Sequence, residues 1–213
     1  MRGDRGFTLD ETLAPFHEAS DWYLRVVRTI GSDQWAEPGL GEWNVLELVA
    51  HASRAYLTIE QYLQPSGAID VDSAVDYFHR AIPGPEVNVD IADRGRAEAA
   101  ALGEDPVGEV EARAARAFDV IESAPVGAVC VSRGGTLSLA DFLATRVVEL
   151  TIHSLDLAHA LGLDGTELGE PPEPASRVSL TVLAALAAQP SSGMLLRALT
   201  GRVLLPQGFS VFP

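Results

Sequence analysis

The stretch that decides the fold is Thr145-Arg146-Val147-Val148-Glu149-Leu150-Thr151-Ile152-His153-Ser154-Leu155-Asp156. Wound as a helix it is apolar almost all the way round, the pattern of a buried helix. Arg146, Glu149, His153 and Asp156 nevertheless fall on one stripe, within roughly 80° of each other at about 100° per residue. Val148, Ile152 and Leu155 flank that stripe on one side; Leu143, Leu150 and Leu157 flank it on the other. Charges on the inner face of a buried helix must pair or bind something. Glu149 and His153 are one turn apart, so both side chains project from one face and can reach a single metal ion.

Working outward, Ser138 with Asp141 starts this helix and Gly162 stops it. Upstream, a first helix is predicted over Leu9–Ile30, with Leu13, Phe16, Trp22, Leu24, Val27 and Ile30 on its apolar face and Gly31 behind it. A second begins at Asn44, an N-cap with Glu47 three residues on, and runs to Leu63 before Pro65-Ser66-Gly67. His51 shares a face of it with Leu48, Ala55 and Tyr62. A short helix is expected over Asp72–Arg80. Pro83-Gly84-Pro85 then breaks the chain, and a helical region follows over 90–122, interrupted near Gly103-Glu104-Asp105-Pro106. Residues 126–132 and Arg133-Gly134-Gly135 read as a short strand and a turn.

Residues 163–175 are Gly-, Pro- and Glu-rich and read as a linker, with helices expected over 176–189 and 192–200. Leu204, Leu205, Phe209, Val211 and Phe212 predict a tail that packs back. The expected class is mainly α: a helical bundle over residues 1–162, then a linker and short helical extension over 163–213.

Composition narrows the function. The formal net charge of −15 over 213 residues argues against a nucleic-acid partner. One cysteine, Cys130, permits no internal disulfide and suits a reducing cytoplasm. No apolar run reaches the roughly 20 residues of a membrane span, and the N-terminus has no signal-peptide core. A soluble, cytoplasmic monomer or homodimer is expected.

Each candidate residue also has a plain structural reading. His51 or His153 alone is most simply a satisfied core histidine. Glu149 can pair with Arg146, and Arg146 and Asp156 can belong to an intrahelical ion-pair ladder. Taken together, His51, Glu149 and His153 are two imidazoles and a carboxylate, a ligand set used by catalytic zinc. Asp156 could orient His153, and Arg146 could hold Glu149 or an anionic ligand. Spacing alone does not choose between these readings. His159 points about 120° away from His153, His17 and His79 have no evident partner, Cys130 reads as a buried inert thiol, and Trp43 as a staple of the helix start.

Two runs carry a resemblance. Pro38-Gly-Leu-Gly-Glu-Trp43-Asn-Val-Leu-Glu-Leu-Val-Ala-His51 has a Trp, a helix start and a His eight residues after the Trp. Leu139-Ala-Asp-Phe-Leu-Ala-Thr-Arg146-Val-Val-Glu149-Leu-Thr-Ile-His153-Ser-Leu-Asp156-Leu-Ala follows in order, and the close Leu195-Leu-Arg197-Ala-Leu-Thr-Gly-Arg202-Val-Leu-Leu-Pro also matches. These resemble the signatures of the mycothiol-dependent maleylpyruvate isomerase N-terminal family, in a shorter member. The resemblance implies a DinB-like four-helix bundle and a divalent metal, usually zinc, held by His51, Glu149 and His153; nickel, cobalt or iron suit such ligands too.

It further implies mycothiol as thiol cosubstrate, and a transferase or isomerase acting on a small electrophile. Arg146, Arg197 and Arg202 are then the candidates for recognising substrate charge, with Asp156 behind His153. The other reading is a non-catalytic metal-binding bundle serving as a ligand-binding, regulatory or interaction module. A donor cluster that opens onto a solvent-connected pocket favours the enzyme; a closed site favours the structural role.

Overall fold

The computed structural model describes residues 6–82, 95–187 and 191–212. Helix α1 (Leu9–Val27) starts where Thr8 N donates to the Glu11 carboxylate at 2.9 Å. It stops short of the expected Ile30 because its last turn tightens: Ile30 N reaches back only three residues, to Val27 O. Helix α2 (Val45–Tyr62) carries the predicted cap. Glu47 N donates to Asn44 Oδ1 at 2.9 Å and Asn44 N donates to Glu47 Oε2 at 3.0 Å. That reciprocal pair satisfies two otherwise orphaned donors.

Helix α3 (Ala74–Ala81) falls where the short helix was expected. Residues 95–101 are helical, and α4 (Pro106–Glu122) follows with Asp105 accepting from Gly108 N at 3.0 Å. The predicted break between them lies at Gly103, whose φ of 68° a side chain would oppose. The predicted Pro83-Gly84-Pro85 break and the start of that region at 90–94 lie outside the described residues.

Helix α5 (Leu139–Ala160) contains the deciding stretch and starts at Ser138, whose Oγ accepts from Asp141 N at 3.0 Å. Helix α6 (Glu173–Leu186) begins three residues before the expected 176, because Pro174 sits in the first turn, where its missing N–H costs nothing. Its expected end at 189 lies outside the described residues. Helix α7 (Ser192–Leu199) buries none of its side chains.

The strand content is larger than the sequence indicated. Only Val129–Ser132 of the 126–132 run is strand (β4), and it turns at Arg133-Gly134 into β5 (Gly135–Ser138). Leu63, expected to end the second helix, instead opens β3 (Leu63–Gln64), which pairs with Cys130 and Val129. A two-stranded ribbon, β1 (Pro38–Leu40) with β2 (Trp43–Asn44), precedes α2. The expected linker contains a 3-10 turn at Glu167–Gly169.

The four long helices close a ring: α1 packs on α5, α5 on α2, α2 on α4, and α4 on α1. This is a mainly α, DinB-like bundle. Its centre is filled by fully buried Phe16, Trp22, Tyr23, Leu48, Tyr56 and Leu150. The polar tips of the aromatics are satisfied: Tyr23 donates to Val49 O at 2.8 Å, Tyr56 shares a 2.8 Å bond with Ser20, and Trp22 Nε1 donates to Leu168 O at 2.7 Å. The last of these ties the 3-10 turn to α1. Helix α6 lies across α1 and α5, adding Ala175, Val178, Val182 and Leu186 to the same apolar cluster. No described helix is long and apolar enough to cross a membrane.

Candidate metal centre

Because α2 and α5 are neighbours in the ring, the polar stripe of α5 faces the His51 face of α2. His51, Glu149 and His153 each present a donor atom, and these atoms lie within 4.8 Å of one another. The two imidazoles meet edge to face, with centroids 4.8 Å apart and 86° between ring planes. His153 sits between two carboxylates of its own helix. Its Nε2 is 3.4 Å from Glu149 Oε2, and its Nδ1 is 3.1 Å from Asp156 Oδ2. The stripe therefore behaves as a local network around His153.

The protonation states follow from burial and neighbours. Burial and the charge on His153 push His51 down to about 3, so it is neutral at pH 7. Burial opposes the charged form of Glu149, but the hydrogen bond from His153 and the positive field of Arg146 outweigh it and bring the carboxyl down to about 2. Burial likewise opposes a charged His153, but hydrogen bonds to Asp156 and Glu149 win and raise it to about 9. The cluster thus holds one proton on His153, in a place that offers a neutral imidazole and an ionised carboxylate to any cation.

Two further observations fit a metal. The Nδ1 atom of His51 is buried with no hydrogen-bond partner among the described residues, a state that normally calls for an explanation. The side chains of His153 and Glu149 keep 15% and 26% exposure, and both line, with His51, a cavity of about 760 Å³. Two imidazoles and a carboxylate suit zinc and its neighbours in the first transition row.

Arg146 does not form the ladder with Glu149. It is 7% exposed, and among the described residues no carboxylate lies within ion-pairing distance of it. Its Nε donates to Thr145 Oγ1 at 3.1 Å and its Nη1 to Thr58 Oγ1 at 3.3 Å. The guanidinium lies 4.7 Å from the Phe142 ring centroid and 5.8 Å from that of Tyr77. Buried Arg113 shows the contrast, since Glu98 and Glu109 both pair with it. Arg146 lines the cavity with no direct ion pair among the described residues, although its field reaches the Glu149 carboxylate.

Arg197 and Arg202 are exposed and do not line the cavity. Helix α7 presents no buried face that would turn Arg197 inward. The cavity instead takes its other cations from Arg54, Arg80 and Arg133, which sequence reasoning passed over. Arg54 is already paired with Glu98 at 2.7 Å. The run Arg133-Gly-Gly signals a turn, and nothing in it reveals what the turn faces. Trp43 also differs from expectation: its ring lies 4.5 Å from that of His51 and it lines the cavity. His159 pairs with Asp164 at the surface at 2.6 Å, and His17 stacks on Phe118 at 4.2 Å. Burial pushes the Cys130 thiol up to about 12, so it is inert.

Fold and donors together define a class: a DinB-like helical bundle with a His/Glu/His cluster at the α2–α5 interface. Residues 16–158 match the family described as mycothiol maleylpyruvate isomerase N-terminal domain, and the chain belongs to that family. Comparisons with curated proteins and with solved structures gave no match.

Proposed function

We propose that this chain is a metal- and thiol-dependent transferase or isomerase that uses mycothiol against a small electrophile. The observation that carries the reading is a three-donor cluster opening onto a large cavity rather than closing on itself. A fourth protein donor would favour a structural site; among the described residues the cluster comprises His51, Glu149 and His153. Mycothiol stands in the family's description, and the chain's only thiol is buried away from the cavity lining.

When bound, a divalent cation, zinc above all, supplies Lewis acidity and favours thiolate over thiol near neutral pH. The chain's own residues do the rest. His51 and Glu149 are already in their ligand forms, and His153 takes that form by giving up its proton. Asp156 fixes the ring of His153 through Nδ1, leaving Nε2 towards Glu149 and the cavity. Arg146, which makes no direct ion pair among the described residues, offers its guanidinium to an anionic group on the electrophile. Trp43, Tyr62, Tyr77 and Phe212 supply aromatic wall for the apolar part of a substrate.

The test has two stages. Purified protein is analysed for metal, and the apo and metal-loaded forms are then mixed with mycothiol and a panel of activated alkenes, epoxides and alkyl halides while free thiol is followed. Thiol loss that needs both metal and electrophile supports the enzyme. Metal uptake with equal thiol loss in the two forms leaves a non-catalytic metal-binding module.

A further inference from the structure

The segment Ser210-Val211-Phe212 lies beyond the residues matched to the family, yet it forms part of the cavity wall. Ser210 and Phe212 line the cavity alongside Tyr77 and Phe78 of α3. The ring of Phe212 meets that of Phe78 edge-on, with centroids 5.2 Å apart and 65° between planes. Phe78 is 2% exposed, so Phe212 rests on a fixed part of the core.

The chain leading to it is held differently. Residues 202–210 contain no helix or strand, and Leu204 is 93% exposed. Among the described residues the hydrogen bonds of this stretch are local: Arg202 N donates to Arg197 O, Phe209 N to Pro206 O, and Phe212 N to Ser210 Oγ. Val211 and Phe212 pack onto the core through their side chains. Segments with few hydrogen bonds to the body of a fold open at the lowest free-energy cost. The helical walls are of the opposite kind, because α2 and α5 carry both the donors and the central core, and a shift in either would disturb the packed interior.

We propose that Phe212 is the size-determining wall of the cavity, so that ligand bulk is limited by one aromatic side chain on a segment outside the four long helices. Only the choice of probe below rests on the metal reading of the site.

Wild type, Phe212→Ala, Phe212→Trp and a surface control, Leu204→Ala, are loaded with cobalt(II) and titrated with 2-mercaptoethanol and with naphthalene-2-thiol. Thiolate binding is read from the sulfur-to-cobalt absorption band. The small thiol is expected to bind all four within about twofold. The bulky thiol should bind Phe212→Ala about tenfold more tightly than wild type or Leu204→Ala, and Phe212→Trp more weakly. Equal affinity of the bulky thiol for wild type and both Phe212 variants overturns the proposal.

If Phe212→Ala does not fold, the Phe212→Trp comparison decides. If wild type takes up no cobalt, the metal reading fails, and the cavity is read instead with the dye 8-anilinonaphthalene-1-sulfonate. Its fluorescence should rise in Phe212→Ala at unchanged helicity and stay level in Leu204→Ala; no rise overturns the proposal.

Discussion

His51 of α2 and His153 of α5 meet edge to face across the interface of two neighbouring bundle helices, with ring centroids 4.8 Å apart. One ring is held neutral and the other protonated, because burial empties His51 while Asp156 and Glu149 fill His153. Two imidazoles in contact share a single proton's worth of charge, and a cation between them would take over that role.

His153→Ala should abolish metal binding and leave a folded bundle. The donors bridge only α2 and α5, whereas the apolar cluster runs through all four long helices and α6. The expected cost in stability is about 1–2 kcal/mol, within the ordinary range of single substitutions. Elemental analysis and circular dichroism read the two quantities. Global unfolding of the variant would falsify the view that the metal is not a structural staple.

Metal affinity should rise with pH up to about 9 and then level off. Binding must displace the proton on His153, and each pH unit below its value costs roughly tenfold in affinity. Competition with a coloured chelator at several pH values measures the slope. A pH-independent affinity between about pH 6 and about pH 9 would mean that His153 is not a ligand.

The apo protein should be most stable near neutral pH, because the three shifted groups lose their contributions on opposite sides of it. His153 has a folded value raised to about 9, so its contribution is full below the ordinary 6.5 and is lost as pH rises through 9. His51 is depressed to about 3, so its contribution is full above 6.5 and is lost as pH falls towards 3. Glu149 is depressed to about 2, so its contribution is full above 4.5 and is lost as pH falls towards 2. Denaturant midpoints across pH test this. His153→Gln should flatten the alkaline limb, and an unchanged limb would place its origin elsewhere.

Asp156→Asn should weaken metal binding by about 10–100-fold while leaving all three donors in place, since it removes the carboxylate that holds His153 Nδ1 at 3.1 Å. Isothermal titration with zinc reads the change. Unaltered affinity would reduce Asp156 to a surface acid.

Arg146→Met should leave metal content unchanged and raise KM selectively for electrophiles that carry a carboxylate. The removed charge has no direct ion-pair partner among the described residues, and a charge-assisted bond contributes about 1.5–3 kcal/mol. Matched charged and neutral electrophiles make the comparison. Equal changes in KM for both would assign Arg146 to packing between Phe142 and Tyr77.

What the sequence determined by itself is the part governed by local geometry. A 3.6-residue period places Arg146, Glu149, His153 and Asp156 on one stripe whatever surrounds the helix, and Asn44 with Glu47 caps α2 from within four residues. The helix order, the Gly103 break and the bundle class follow from signals of the same range. The tertiary structure alone decided which faces meet. It set α2 beside α5, turned Trp43 onto His51, drew Leu63 out of the helix to pair with Cys130, left Arg146 without a direct ion pair among the described residues, and kept Arg197 and Arg202 outside the cavity. The walls formed by Arg54, Arg133 and Phe212 join positions far apart in the chain. Such contacts depend on how whole elements pack to bury apolar surface, and that choice has no signature in the residues on either side of each position.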